Sequence, residues 1–157
     1  MRPQKWQRGV SVVEVVVLIA ILLVVAAIAI PNLLHSNLSE DESSTVAALR
    51  ALNAACANYS MLYGGYPGSL SNLGPGDAAN STSAALIDAA LASGTKGGYV
   101  FTYTAGAIGI GGNVLSYTIT TNPAAPGRGR RRFFTDQSGV IRANRTGAAD
   151  ANSTPVG

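Results

Sequence analysis

One carboxylate stands inside a long apolar stretch of this chain. Glu14 is the only charged residue between Val10 and Ile30. A carboxylate at the centre of a bilayer helix costs roughly 2.5–3.5 kcal/mol, and less near a helix end, so such a group needs a cationic partner. No Lys or Arg follows Glu14 before Arg50. The sequence therefore predicts that Glu14 pairs with a positive charge that the apolar stretch itself does not supply.

Other groups that could carry out chemistry are sparse. The chain has one cysteine, Cys56, and one histidine, His35. One of each is too few for a metal-ligand cluster or for a nucleophile with its base and orienting residue. The glycines of residues 106–112 precede a predicted strand rather than a helix, so they do not fit a phosphate-binding loop. We therefore expect no enzymatic activity, no metal site and no cofactor.

Length and composition indicate one small domain attached to one long appendage. The chain has 157 residues, of which 47% are apolar and 12% are charged. The apolar residues are concentrated between Val10 and Ile30. At about 1.5 Å per residue, a helix over this stretch spans roughly 30 Å, the thickness of a bilayer core. We predict a transmembrane helix at residues 10–30, which contacts lipid when it is inserted.

The charge distribution gives this segment an orientation. Three of the 11 Lys and Arg residues lie in the first segment, residues 1–9, and the other eight balance the eight Asp and Glu residues. A chain without residues 1–9 is therefore neutral, and its overall basicity does not indicate a nucleic-acid partner. Because positive residues beside an apolar span stay in the cytoplasm, we expect the rest of the chain to be exported.

The densest cluster of charge lies late in the chain. It consists of four arginines, Arg128, Arg130, Arg131 and Arg132. A solvated loop is the first interpretation of this cluster. The alternative is an exposed patch that binds anionic surfaces or nucleic acid.

Helical periodicity continues beyond the apolar stretch. An apolar stripe follows spacings of three and four residues, which places it on one helix face: Leu49, Leu52, Cys56, Tyr59 and Tyr63. Gly64 and Gly65, followed by Pro67, predict the end of this helix. Pro31 removes one backbone hydrogen bond, so it predicts either a bend in one long helix or a simple stop.

The remainder of the chain changes to strand patterns. β-branched and aromatic residues dominate residues 99–104 and 115–120, and two shorter runs flank the turn at residues 136–139. We predict an α+β fold with three or four antiparallel strands packed on the C-terminal half of the long helix. A short helix is expected at residues 84–92, capped by Ser83 and closed by Gly94.

These patterns divide the chain into five segments. They are a leader at 1–9, a membrane and polymerisation helix at 10–30, an exported helical half at 31–65, a loop and sheet at 66–142, and a tail at 143–157. The tail is small and polar without periodicity, so we expect it to be mobile.

The junction between the leader and the apolar stretch resembles a known processing site. Gly9-Val10-Ser11-Val12-Val13-Glu14, followed by uncharged apolar residues, is similar to the cleavage site of type IV prepilins and of type II secretion pseudopilins. Pro31 and the sequences at 64–67 and 134–141 also resemble those of this family. The chain departs from the family pattern at Val10, where phenylalanine is commonest, and in lacking the C-terminal disulfide loop of many pilins.

The resemblance implies a pilin-like fold and a processing route. An inner-membrane prepilin peptidase would cut after Gly9 and methylate the new amino terminus at Val10. The resemblance also implies that the region of Pro31 bends or unwinds on assembly. The processed chain would enter a homo-oligomeric filament with the help of inner-membrane assembly machinery. That filament is an extracellular pilus or the periplasmic pseudopilus of a secretion system.

Cleavage after Gly9 would supply the partner that Glu14 needs. It creates an amino group at Val10 with an ordinary pKa of about 7.7–8.0, which carries positive charge at neutral pH. The Glu14 carboxylate of one subunit can pair with the Val10 amine of its neighbour. A subunit in the wrong register would leave a buried charge unpaired, so we interpret Glu14 as a register residue for assembly.

Two other interpretations belong to different classes of protein. The apolar stretch is also compatible with an ordinary anchor of a monomeric binding domain. Alternatively, Ala27-Ile28-Ala29 has the A-x-A pattern of a secretory signal, and cutting there would release a soluble domain. Glu14 and the length of the apolar stretch argue against that second interpretation.

Overall fold

The chain forms an α+β protein with an N-terminal helix and one antiparallel sheet. The computed structural model describes residues 11–156, apart from the side chains of residues 29 and 31–37. Helix α1, Val12–Tyr63, contains 52 residues. The chain divides between Ser36 and Asn37 into two compact units. The first holds the apolar part of α1, and the second holds the rest of α1 with all other elements.

Helix α1 ends where the sequence predicted. Gly64 adopts a φ of +77°, a left-handed conformation that favours glycine. Its N–H donates to the carbonyl oxygen of Ser60 at 2.9 Å, which completes the last turn. Pro67 follows and is buried. The Gly-then-Pro signal therefore gave the correct end of the helix.

The sheet is a meander in which each strand pairs antiparallel with the next one in sequence. Its six strands are β1 Thr95–Lys96, β2 Tyr99–Ala105, β3 Tyr117–Pro123, β4 Arg132–Asp136, β5 Arg142–Asn144 and β6 Thr154–Pro155. A 3₁₀ helix, Leu70–Leu73, and a short helix α2, Ala89–Ala92, lie between α1 and the sheet in sequence.

The core joins one face of α1 to one face of the sheet. On α1, Leu49, Leu52 and Cys56 are fully buried. On the sheet, buried side chains alternate with more exposed ones along β2, β3 and β4, as strand geometry requires. These residues form a single hydrophobic cluster. The predicted packing of the sheet on the second half of the helix is therefore confirmed. Fully burying one such apolar side chain stabilises a fold by about 1.5–3 kcal/mol.

Asn53 adds a polar connection between α1 and the sheet. Its Nδ2 donates to Thr135 Oγ1 at 2.9 Å and to the carbonyl oxygen of Gly139 at 3.1 Å. Its Oδ1 accepts from the Tyr117 hydroxyl at 3.1 Å. One helical side chain thus contacts β3, β4 and the turn after β4.

The predicted helix at residues 84–92 is wrong for its first half. The helix is only Ala89–Ala92, and its N-cap is Asp88, whose side chain accepts from the Leu91 N–H at 2.8 Å. Ala85 has a φ of 53°, outside the right-handed helical region. The N–H groups of residues 84–87 donate instead to carbonyl oxygens of residues 72–74. Tertiary hydrogen bonds therefore replace the helical ones, while Gly94 does close the helix with a φ of 82°.

The sheet is larger than the sequence predicted. Six strands form rather than three or four, and the predicted tail at 143–157 contributes to two of them. Strand β5 pairs with β4, and β6 pairs with β5. The N–H of Val156 also donates to the carbonyl oxygen of Ile141 at 2.8 Å, and Ala149 is buried. The prediction of a tail without structure is wrong, because backbone pairing stabilises these strands without apolar periodicity.

Candidate assembly site

The first part of α1 presents an apolar surface on all sides. Within its own unit, every large apolar side chain described between residues 12 and 30 is exposed, from 42% at Val15 to 79% at Val12. A helix that is apolar on all faces normally lies in a core, in a membrane or against other chains. Nothing described within this unit covers it. Most of the exposed large apolar side chains that the structure describes therefore lie in residues 12–30.

Glu14 lies in the first turn of α1. Its side chain is exposed, and the described residues hold no cation within ion-pairing distance of it. The first turn of a helix carries unsatisfied N–H groups and a partial positive charge, which favour a carboxylate there. The structure thus places a carboxylate in the first turn of an apolar helix. In the sequence, Glu14 lies four residues after Val10, where the predicted processing would create an amine.

The predicted processing residues, Gly9 and Val10, lie outside the described residues. Pro31 lies within α1, so the interpretation of Pro31 as a simple helix stop is wrong. The predicted bend at that residue stays a prediction. Among the described residues, no helical segment combines the length and the hydropathy that a bilayer crossing requires.

The arginine cluster is tied to α1 by a carboxylate that the sequence analysis did not single out. Glu42 Oε1 accepts from the backbone N–H groups of Arg130 at 2.8 Å and Arg131 at 3.1 Å. Glu42 Oε2 accepts from Arg131 Nε at 2.7 Å. Burial alone would raise the pKa of Glu42, but these hydrogen bonds and the Arg131 charge outweigh it, so the pKa is lowered. Glu42 therefore stays ionised and holds the loop before β4 against the helix.

The other arginines of the cluster are partly engaged as well. Arg128 lies 3.7 Å from the Asp41 carboxylate, a long pair with an exposed guanidinium that stabilises little. Arg132 donates to the carbonyl oxygen of Gly147 at 3.3 Å. The guanidinium of Arg131 also lies 5.4 Å from the ring centroid of Phe133. Arg128, Arg131 and Arg132 thus each contact another part of the fold. The anion-binding patch stays a prediction.

Cys56 behaves as a packing residue. Its side chain is fully buried in the core. Burial raises the pKa of its thiol to about 12, while a hydrogen bond with Tyr117 acts in the opposite direction. A thiol with so high a pKa is almost entirely protonated at neutral pH and is a poor nucleophile.

No protein-family model, curated protein or solved structure matches this chain.

Proposed function

We propose that this chain is a structural subunit of a type IV pilus-like filament, with a pilin-like fold. It is made as a precursor, processed after Gly9, and assembled through its N-terminal apolar helix. The observation that carries this proposal is the combination of a single carboxylate, Glu14, with an apolar helical surface that has no covering partner in its own unit.

The apolar helix supports an assembly role on energetic grounds. Fully burying one Val, Leu or Ile side chain is worth about 1.5–3 kcal/mol, so a helix with many such side chains exposed is unstable in water. Before assembly, the proposal places residues 10–30 in the inner membrane, with the N-terminus in the cytoplasm. The placement in the membrane is inferred from the amino-acid sequence alone. After assembly, copies of the same helix cover one another.

Glu14 supports an ordered assembly rather than simple association. Apolar contact alone fixes neither stagger nor direction, because it is not directional. A carboxylate that must meet the amine of a neighbouring subunit fixes both. Breaking a buried ion pair by removing one partner typically costs about 3–5 kcal/mol, which is enough to reject misregistered subunits.

The test replaces Glu14 and follows both insertion and assembly. In cells that produce the rest of the assembly machinery, Glu14→Ala and Glu14→Gln should still fractionate with the membrane. Sheared filaments containing either variant should fall by at least tenfold, since a loss of about 3 kcal/mol per subunit exceeds the 1.4 kcal/mol of a tenfold change. Glu40→Ala is the matched control, because Glu40 is also an exposed carboxylate of α1 but lies in the other unit.

The location of the assembled protein separates the remaining alternatives. Recovery in a sheared surface fraction supports a pilus, and recovery only in the periplasm supports the pseudopilus of a secretion system. A protein that stays monomeric, in the membrane or in solution, would instead be an anchored or secreted binding domain. Normal filament yield from Glu14→Ala would contradict the register role.

A further inference from the structure

A cleft lies beside the C-terminal end of α1. Its volume is about 340 Å³, and its walls come from the end of α1, the loop that follows, and the loop between β2 and β3. Three tyrosines and two asparagines contribute side chains to it: Tyr59, Tyr63, Tyr66, Asn72 and Asn113. The described residues that line this cleft include no Asp, Glu, Lys or Arg. The cleft is therefore aromatic, polar and uncharged.

The aromatic rings are held in fixed positions. The Tyr59 hydroxyl donates to the carbonyl oxygen of Ser81 at 2.6 Å. The rings of Tyr59 and Tyr63 are tilted at 47°, with centroids 4.6 Å apart. The Tyr66 ring meets Tyr117 edge-on, with centroids 4.9 Å apart. These contacts fix the ring positions before any ligand binds, which lowers the entropy lost on binding.

The two amides keep hydrogen-bonding capacity. Asn72 Oδ1 accepts from the Ser69 hydroxyl at 2.8 Å, but Asn72 Nδ2 has only a long contact of 3.4 Å to the carbonyl oxygen of Ser81. The side-chain amide of Asn113 makes no hydrogen bond to another residue that the structure describes. An amide offers two donors and one acceptor oxygen, so this pair can satisfy several hydroxyl groups.

The loop that carries Asn113 is locked against the helix end. The N–H of Tyr66 donates to the carbonyl oxygen of Val114 at 2.9 Å. A Cβ atom added at Gly65 would lie only 2.9 Å from the Cβ of Asn113. Gly65 therefore allows the close approach that forms this wall of the cleft, and a larger residue there would displace it.

We propose that this cleft binds an uncharged saccharide. A sugar ring has an apolar face of C–H groups and a rim of hydroxyl groups. The C–H groups suit the negative faces of tyrosine rings, and the hydroxyls suit neutral amides. The volume lies at the lower end of the usual range for small-molecule sites, about 300–1,000 Å³. This inference does not depend on processing or filament assembly.

The test uses the full-length chain in detergent and a panel of neutral disaccharides, namely maltose, cellobiose, lactose and chitobiose. Saturation-transfer NMR should show transfer to the ring C–H protons of at least one of them. Tyr63→Ala should weaken its binding roughly tenfold, and Gly65→Ala should weaken it through displacement of the loop. Met61→Ala is the control, because Met61 is 83% exposed near the same helix end and does not line the cleft.

Three results would overturn the proposal. The first is no transfer to any neutral sugar at millimolar concentration. The second is stronger transfer to disaccharides with uronate or sialic acid groups, because an uncharged cleft does not explain a preference for anions. The third is unchanged binding by both Tyr63→Ala and Asn113→Ala. If Tyr63→Ala does not fold, as judged by circular dichroism, Asn113→Ala decides the outcome alone.

Discussion

Removal of the Glu42 carboxylate should detach the arginine-rich loop from helix α1. Three hydrogen bonds meet this side chain, two from backbone N–H groups and one from the Arg131 guanidinium. The side chain of Glu42 is only 12% exposed, and that of Arg131 is 29% exposed. Glu42→Ala would leave the Arg131 charge without this partner and two N–H groups without an acceptor.

The size of the effect follows from this geometry. A hydrogen bond to a charged group contributes about 1.5–3 kcal/mol. The three contributions do not simply add, and water can reach the vacated site, so the total loss is smaller than their sum. We expect Glu42→Ala to lower the free energy of unfolding by about 2 kcal/mol. For a domain of this size, the free energy of unfolding falls by about 2 kcal/mol per molar urea, so the urea concentration at the midpoint of unfolding should fall by about 1 M. Glu42→Gln should give a smaller loss, because the amide oxygen still accepts a hydrogen bond.

The pH dependence provides an independent check. Because the pKa of folded Glu42 is below its ordinary value of 4.5, its contribution is present above that pH and is lost as the pH falls through the folded pKa. The difference between wild type and Glu42→Ala should therefore shrink in acid. Urea unfolding followed by circular dichroism measures it, with Glu40→Ala as the control. Equal urea midpoints for Glu42→Ala and Glu40→Ala at pH 7 would contradict the role of Glu42 in holding the arginine-rich loop against α1.

Two further predictions concern the contact between α1 and the sheet. Asn53→Ala should lower the free energy of unfolding by about 1–3 kcal/mol, because it leaves the Tyr117 hydroxyl without its acceptor. As a control, replacing the exposed Asn58 with Ala should change the free energy of unfolding in urea by less than about 0.5 kcal/mol. Similar losses from both variants would contradict the role of Asn53. Burial, with a smaller effect of the Glu42 charge, raises the pKa of Tyr99 to about 12. Because the unfolded chain loses that proton near pH 10, the stability contributed by Tyr99 should fall as the pH rises from 10 to 12. Tyr99→Phe should remove part of this alkaline loss in urea unfolding, and an identical pH profile for the two proteins would contradict the assignment.

The parts of the fold that the sequence predicted are those with strong local patterns. The stripe from Leu49 to Tyr59 has helical spacing over several turns, so its burial could be read directly. The helix end at Gly64 was also predicted correctly, because the left-handed backbone conformation that ends the helix favours glycine at that position. β-branched and aromatic residues likewise predicted strands at residues 99–104 and 115–120, which overlap β2 and β3.

The parts that were missed depend on contacts between distant residues. Glu42 and Arg130 are 88 positions apart, and no local sequence pattern links them. Strands β1 and β6 contain two residues each, too few to show a period. The start of α2 was misplaced because Ser83 and Asp88 are both good N-caps, and the backbone pairing of residues 84–87 with the preceding loop selects Asp88.

The N-terminus of the mature protein distinguishes a processed filament subunit from a plain anchor and from a secreted domain. Mass spectrometry of the membrane and sheared-surface fractions would identify it without any variant. A processed filament subunit would begin at Val10 and carry one added methyl group on its amine. A chain that still begins at Met1 would indicate a plain anchor, and one that begins at Ile30 would indicate a secreted domain. Either result would contradict assembly through the pairing of Glu14 with a processed amino terminus.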